Sequence, residues 1–217
     1  MGLDFDERAA EDAAAGLIVL HHGRGTDEHD LIGLADAIDP DRRYHVVAPG
    51  GPLTLPGWPG RHWYAVERVG YPDPDTFRAA HAALADFHDA AWERTGTTPE
   101  QTILGGFSMG SVMSYALGLS ADRPAPAGIL AFSGFIPTVE GWAPATADRR
   151  DLRAFIAHGR ADPIMDVSFA RSARDLLEAA GLAVDYHESD AAHYIDPPAV
   201  PSARQWIDDT LAEPATR

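Results

Sequence analysis

Residues 102–113 read TILGGFSMGSVM, and the reading of this dozen decides the fold. Thr102–Phe107 is a short uncharged run, suited to a strand covered on both faces. Val112, Met113, Ala116 and Leu117 then fall at helical spacing. Between the two runs, Gly106-Phe107-Ser108-Met109-Gly110 matches G-x-S-x-G, the pattern of a serine held on a sharp strand-to-helix turn. Glycine at both ends removes the collisions that flanking side chains would make there. The Ser108 hydroxyl then stands clear of the sheet, and the helix N-terminus favours developing negative charge. At this chain's Gly and Ser frequencies about 0.1 such matches arise by chance, so the strand before and the helix after carry the weight. The bland rival is a tight turn holding an N-cap serine.

Outward from this stretch, the same alternation repeats. Further strand candidates are Leu17–His21, Tyr44–Ala48, Gly128–Phe132, Ala154–His158 and Ala183–His187. Helical spacing joins Leu31, Leu34, Ala35 and Ile38, then Phe77, Ala80, Leu84, Phe87 and Ala91. It also joins Phe169, Ala173, Leu176, Leu177 and Ala180, with Gly181 as a stop, and finally Val200, Ala203, Ile207 and Leu211. Alternating strands and helices predict an α/β fold: a mostly parallel central sheet with helices on both faces. Residues 1–15 read as an acidic N-terminal segment and 16–217 as one domain. Residues 134–150 are too short and too broken by proline for a large lid domain.

Composition narrows the chemistry. The 217 residues carry 33 acidic and 17 basic side chains, a net charge of −16. A surface that tracks nucleic-acid phosphates is therefore not expected. Every basic residue is arginine, which removes Schiff-base lysines and Ser–Lys pairs. The absence of cysteine removes thiol nucleophiles and thiolate metal sites. Salt adaptation and a GC-rich genome both explain the acidic, lysine-free composition, and the abundant alanine favours the genome. No run reaches the ~20 apolar residues of a membrane span, and the acidic N-terminus is unlike a secretory signal. The expectation is a soluble cytoplasmic protein. The oligomeric state stays open, a homodimer included.

A serine nucleophile needs a base, and the base needs a group that fixes its tautomer. On a strand–turn–helix scaffold of this kind the acid and then the histidine follow the serine. Only His158, His187 and His193 lie downstream of Ser108. The first two fall in or at strands, whereas His193 follows the last strand in a loop on the Ser108 edge of the sheet. Asp162 follows the strand Ala154–His158 and is the acid candidate. Asp166 reads as a helix N-cap, and Asp190 lies too close in sequence to His193. The Gly23-Arg24-Gly25 turn after the first strand candidate can present a backbone N–H beside the nucleophile. Arg24 and Met109 are the expected oxyanion donors. His21 and His22 invite a metal reading, but no spaced third ligand accompanies them, so neither metal nor cofactor is expected.

Four stretches in order, HHGRGTDEHDL (21–31), GGFSMGS (105–111), HGRADPIM (158–165) and AAHYIDP (191–197), resemble the phospholipase/carboxylesterase family of the α/β-hydrolase superfamily. Its members are compact serine esterases similar to acyl-protein thioesterases and lysophospholipases. The resemblance runs from about Gly16 to Leu211. It implies the α/β-hydrolase fold, a Ser108–Asp162–His193 triad and backbone donors at Arg24 and Met109. Where the family carries Gln after the nucleophile, Gly after the motif and Gly before the histidine, this chain carries Met109, Ser111 and Ala192.

Trp58, Trp63, Tyr64, Phe135, Trp142 and Tyr194 lie near the expected site in sequence. Trp63, Tyr64 and Phe135 are the candidates for a pocket that takes an apolar acyl or aryl group, while Trp142 reads as core. The expected reaction is hydrolysis of small soluble esters through an acyl-enzyme. Thioester hydrolysis, lysophospholipase action, acyl transfer and a non-catalytic binding role on the same scaffold stay open.

Overall fold

In the computed structural model, the strand candidates become the parallel body of one sheet. The structure describes residues 2–212. Met1 and residues 213–217, which the sequence reading assigns to the acidic segment and the domain, lie outside the described residues. The elements run β1 (Phe5–Arg8), β2 (Leu17–His21), α1 (Ala35–Ile38), β3 (His45–Pro49), β4 (Val66–Arg68), β5 (Tyr71–Pro72) and α2 (Pro74–Thr95). They continue with β6 (Thr102–Phe107), α3 (Met109–Gly118), β7 (Gly128–Phe132), β8 (Arg153–Gly159), α4 (Ser168–Ala179), β9 (Ala183–Ser189) and α5 (Ala199–Ala212). The seven-stranded sheet has the order β1-β3-β2-β6-β7-β8-β9, with only β1 antiparallel to its neighbour. β4 and β5 form a separate small hairpin.

Alternate residues of each central strand feed opposite faces. Leu17 and Val19 of β2 join the core under α2 and α3, while Ile18 and Leu20 join the core under α1 and α5. α4 covers β7 and β8 on the α3 side through Ala170, Ala173 and Leu177. α2 starts where Asp73 accepts the Thr76 N–H at 2.9 Å with Pro74 in the first turn, and it stops at Gly96 with φ +67°. No helix interrupts residues 133–152 between β7 and β8, so among the described residues this connection carries no lid domain.

The N-terminal segment contributes a strand that the sequence reading did not name. Residues 5–8 pair with β3, register Phe5 to Pro49 through Arg8 to Val46. Arg8 is 8% exposed; it pairs with the Asp39 carboxylate and donates to the Asp39 carbonyl at 2.8 Å.

The chain runs outward from β2 to β3, then returns past β2 to β6 and continues the other way to β9. The switch point therefore lies between the C-terminal ends of β2 and β6. The loops leaving those ends diverge there and open a crevice.

Candidate active site

Ser108 follows the last residue of β6 and adopts φ 55°, ψ −119°. A non-glycine residue held there stores about 1–3 kcal/mol of strain, so its surroundings must enforce it. They do so by close backbone approach. A β-carbon on Gly106 would overlap the Gly110 backbone, and one on Gly110 would overlap the His21 carbonyl oxygen. The Ser108 N–H donates to the Phe132 carbonyl at 2.9 Å, and Val112 N–H returns to the Ser108 carbonyl. Ser111 lies a turn further on, its hydroxyl 2.6 Å from the Gly106 carbonyl oxygen and 2.8 Å from that of Phe132.

Two loops converge on this serine. Asp162 leaves β8 and His193 leaves β9. Gly159 lets the loops meet: a β-carbon there would overlap the Ala191 carbonyl, and Ala161 N–H donates to that carbonyl at 3.1 Å. His193 Nδ1 then lies 2.6 Å from Asp162 Oδ2, and Nε2 lies 2.8 Å from Ser108 Oγ. A carboxylate can only accept, so Nδ1 carries the proton and Nε2 presents its lone pair to the serine hydroxyl. The other oxygen of Asp162, Oδ1, accepts the N–H groups of Ile164 and Met165, both at 2.8 Å. Burial pushes the Asp162 carboxyl up, but the His193 hydrogen bond and the two backbone donors outweigh it and hold it below its ordinary value. The His193 ring packs on Phe107, centroids 4.8 Å apart.

Of the other candidates only His158 stays beside this group, its Nε2 3.5 Å from Asp162 Oδ2. His158 is buried with Nε2 at 2.8 Å from the Met165 carbonyl, so it donates there and steadies the loop that carries Asp162. His187 stacks on Phe155. Asp166 Oδ1 accepts the Ser168 N–H at 2.8 Å and so caps the start of α4. Asp190 is exposed and pairs with Arg160 at 2.8 Å.

The turn after β2 reaches the same place. His22 anchors it: Nδ1–H donates to the Gly23 carbonyl at 2.7 Å, and Nε2 accepts the Gly51 N–H at 2.8 Å. His21 engages different partners, Ser114 at 2.8 Å and His88 at 3.2 Å. Burial first, then the charges of His88 and His22, holds His21 well below its ordinary value. Neither the Arg24 nor the Met109 N–H has an acceptor among the described residues. Met109 opens α3, so its N–H is one of the unpaired donors of a helix start.

Arg24, Tyr64, Ser108, Met109, Phe135 and Ile164 are among the residues around a cleft of about 420 Å³. Tyr64 and Phe135 therefore line the same cleft as the serine. Trp63 requires a correction as a pocket residue: it is fully buried beneath the cleft, its indole N–H donating to the His22 carbonyl at 2.9 Å. The physical reason is packing: Trp63 stacks on the His22 ring, centroids 4.8 Å apart, and meets His21 edge-on, which holds the indole in the core under the turn after β2. Trp58 is 56% exposed, and Trp142 packs edge-on against Phe77. Val66, Val69, Ile164 and Met165 complete the apolar wall and were not singled out from sequence. For Ile164 and Met165 a signal existed, since they lie two and three residues after Asp162.

The profile of the Phospholipase/Carboxylesterase family matches residues 8–211. Acyl-protein thioesterase 1 of Debaryomyces hansenii is 26% identical over 195 residues, covering 85% of this chain and 81% of that protein. Esterase PE8 superimposes with a TM-score of 0.81 at 29% identity, covering 97% of this chain and all of the other. The Bacillus cereus carboxylesterase superimposes with a TM-score of 0.83 at 24% identity, covering 96% and 94%, a likeness of fold.

Proposed function

The chain belongs to the phospholipase/carboxylesterase family and is a serine hydrolase; on that premise we propose that it hydrolyses small acyl or aryl esters, with Ser108, His193 and Asp162 as its triad. The observation that carries this reading is the unbroken line Asp162–His193–Ser108, with both hydrogen bonds under 3 Å and the serine opening on an apolar cleft.

In this mechanism Ser108 Oγ attacks the ester carbonyl carbon while its proton passes to His193 Nε2. The carbonyl oxygen becomes an oxyanion and takes hydrogen bonds from the N–H groups of Met109 and Arg24. One such donor is worth about 10²–10³ in kcat. The intermediate collapses, the C–O bond to the alcohol breaks, and His193 returns the proton to the leaving oxygen. Water then attacks the acyl-serine along the same path, with His193 again as base. Asp162 stays ionised and steadies the imidazolium.

The cleft sets acyl length. Each buried methylene adds about 0.8 kcal/mol, so kcat/KM should rise over the first few carbons. With no lid domain over the cleft, further carbons project into water. Acetate to butyrate esters should exceed decanoate and longer ones, with no jump at micelle formation. Measuring kcat/KM from C2 to C16 decides this, and a maximum at C10 or beyond contradicts it. The match to acyl-protein thioesterase 1 favours a second reading, thioester hydrolysis on the same triad. Matched thioesters and anilides in the same series separate the two readings.

A further inference from the structure

Resting on the esterase reading above, we infer that the Arg24 side chain receives a carboxylate carried by the substrate, so that the preferred esters are anionic. Arg24 borders the cleft that holds Ser108. Its side chain is exposed, and its guanidinium carbon sits 4.2 Å over the Trp58 ring. Stacking engages the face of a guanidinium and leaves the N–H edge free to grip a carboxylate with two parallel bonds.

That edge is unoccupied by protein. The chain has 33 acidic side chains against 17 basic ones, and most described arginines hold a carboxylate, whereas Arg24, Arg42, Arg68, Arg149 and Arg150 hold none among the described residues. Arg61, Arg78, Arg160 and Arg171 each hold one at 2.6–2.8 Å. Among the described residues Arg24 forms no ion pair, although Asp30 lies on the same cleft. The Asp30 carboxylate takes the Thr26 hydroxyl at 3.1 Å instead. The positive charge reaches the cleft wall: at Tyr64, which lines the cleft, Arg24 opposes the burial that pushes the phenol up. An unpaired arginine on the cleft that holds Ser108 discriminates by charge within that cleft. The net charge of −16 acts from further away and is screened beyond ~10 Å at 0.1 M salt.

The test compares two pairs of esters in a pH-stat. Monoethyl succinate against ethyl butyrate places the carboxylate on the acyl side, and 4-acetoxybenzoate against phenyl acetate places it on the alcohol side. Because the Arg24 N–H also belongs to the proposed oxyanion hole, the readout is the anionic-to-neutral ratio of kcat/KM. In Arg24→Gln this ratio should fall about tenfold for one of the pairs, the size of one charge-assisted hydrogen bond. It should recover in part in Arg24→Lys. An unchanged ratio in both pairs overturns the inference. A measurement on the unsubstituted protein stands independent of any variant's folding. N-ethylsuccinamate against N-ethylbutyramide (acyl side) and 4-acetamidobenzoate against acetanilide (alcohol side) are compared as inhibitors of phenyl acetate hydrolysis; in one pair the acid should inhibit at lower concentration, and equal or weaker inhibition by the acid in both pairs overturns the inference. Hydrolysis of all four esters without charge preference removes the role of Arg24 and leaves the esterase reading standing. Hydrolysis of none removes both.

Discussion

Asp162 and Asp166 sit four residues apart on one loop and do different work. Asp162 receives the His193 ring and two backbone N–H groups, whereas Asp166 faces solvent and caps α4. Asp162→Asn should therefore leave the imidazole in the wrong tautomer and lower kcat by about 10⁴. Asp166→Asn keeps an oxygen for the Ser168 N–H and should leave kcat near the original value. Steady-state kinetics on both variants checks this, and a larger loss of kcat in Asp166→Asn would contradict the assignment. At this scale the sequence names all three residues that the structure brings into one hydrogen-bonded line. The reason is chemical: a glycine-flanked serine, an acid past one strand and a histidine past the next leave few choices. The pocket was less legible. An aromatic run such as His62-Trp63-Tyr64 says that large side chains are buried, but not which of them turns toward the cleft.

Elements meet here through glycine contacts that admit no β-carbon. The start of α3 rests on the end of β2 at Gly110, where the nearest atom is the His21 carbonyl oxygen. Gly110→Ala should push α3 away from β2, cost about 3 kcal/mol and displace Ser108. Gly33 has open space around it. Gly33→Ala should hold or raise stability by about 0.4–1 kcal/mol, by restricting the unfolded chain. Thermal melts of the two variants test the pair, and comparable losses would contradict this account of the turn. Most strands legible in sequence were apolar runs buried on both faces, while the edge strand β9 was legible although it is only half-buried. β1 was not legible because Phe-Asp-Glu-Arg is mostly charged. What holds it is the buried Arg8 on Asp39, 31 residues away, a contact no local pattern displays. β4 and β5 span three and two residues, too few to show a period.

The whole molecule combines a site at a topological switch point with a surface of net charge −16. Like charges repel less as the screening length shortens from ~10 Å at 0.1 M to ~3 Å at 1 M salt. Tm should therefore rise between low and molar NaCl. A flat or falling Tm would mark the composition as genomic drift rather than salt adaptation. The central claim is that Ser108 is the nucleophile of this fold, and covalent labelling by a fluorophosphonate tests it most directly. Intact-mass analysis should show one adduct per chain, peptide mapping should place it on Ser108, and ester hydrolysis should fall in step with its formation. Ser108→Ala should take up no label and lose turnover by several orders of magnitude while melting cooperatively. An adduct on another residue, or near-original turnover in a folded Ser108→Ala protein, would contradict the account.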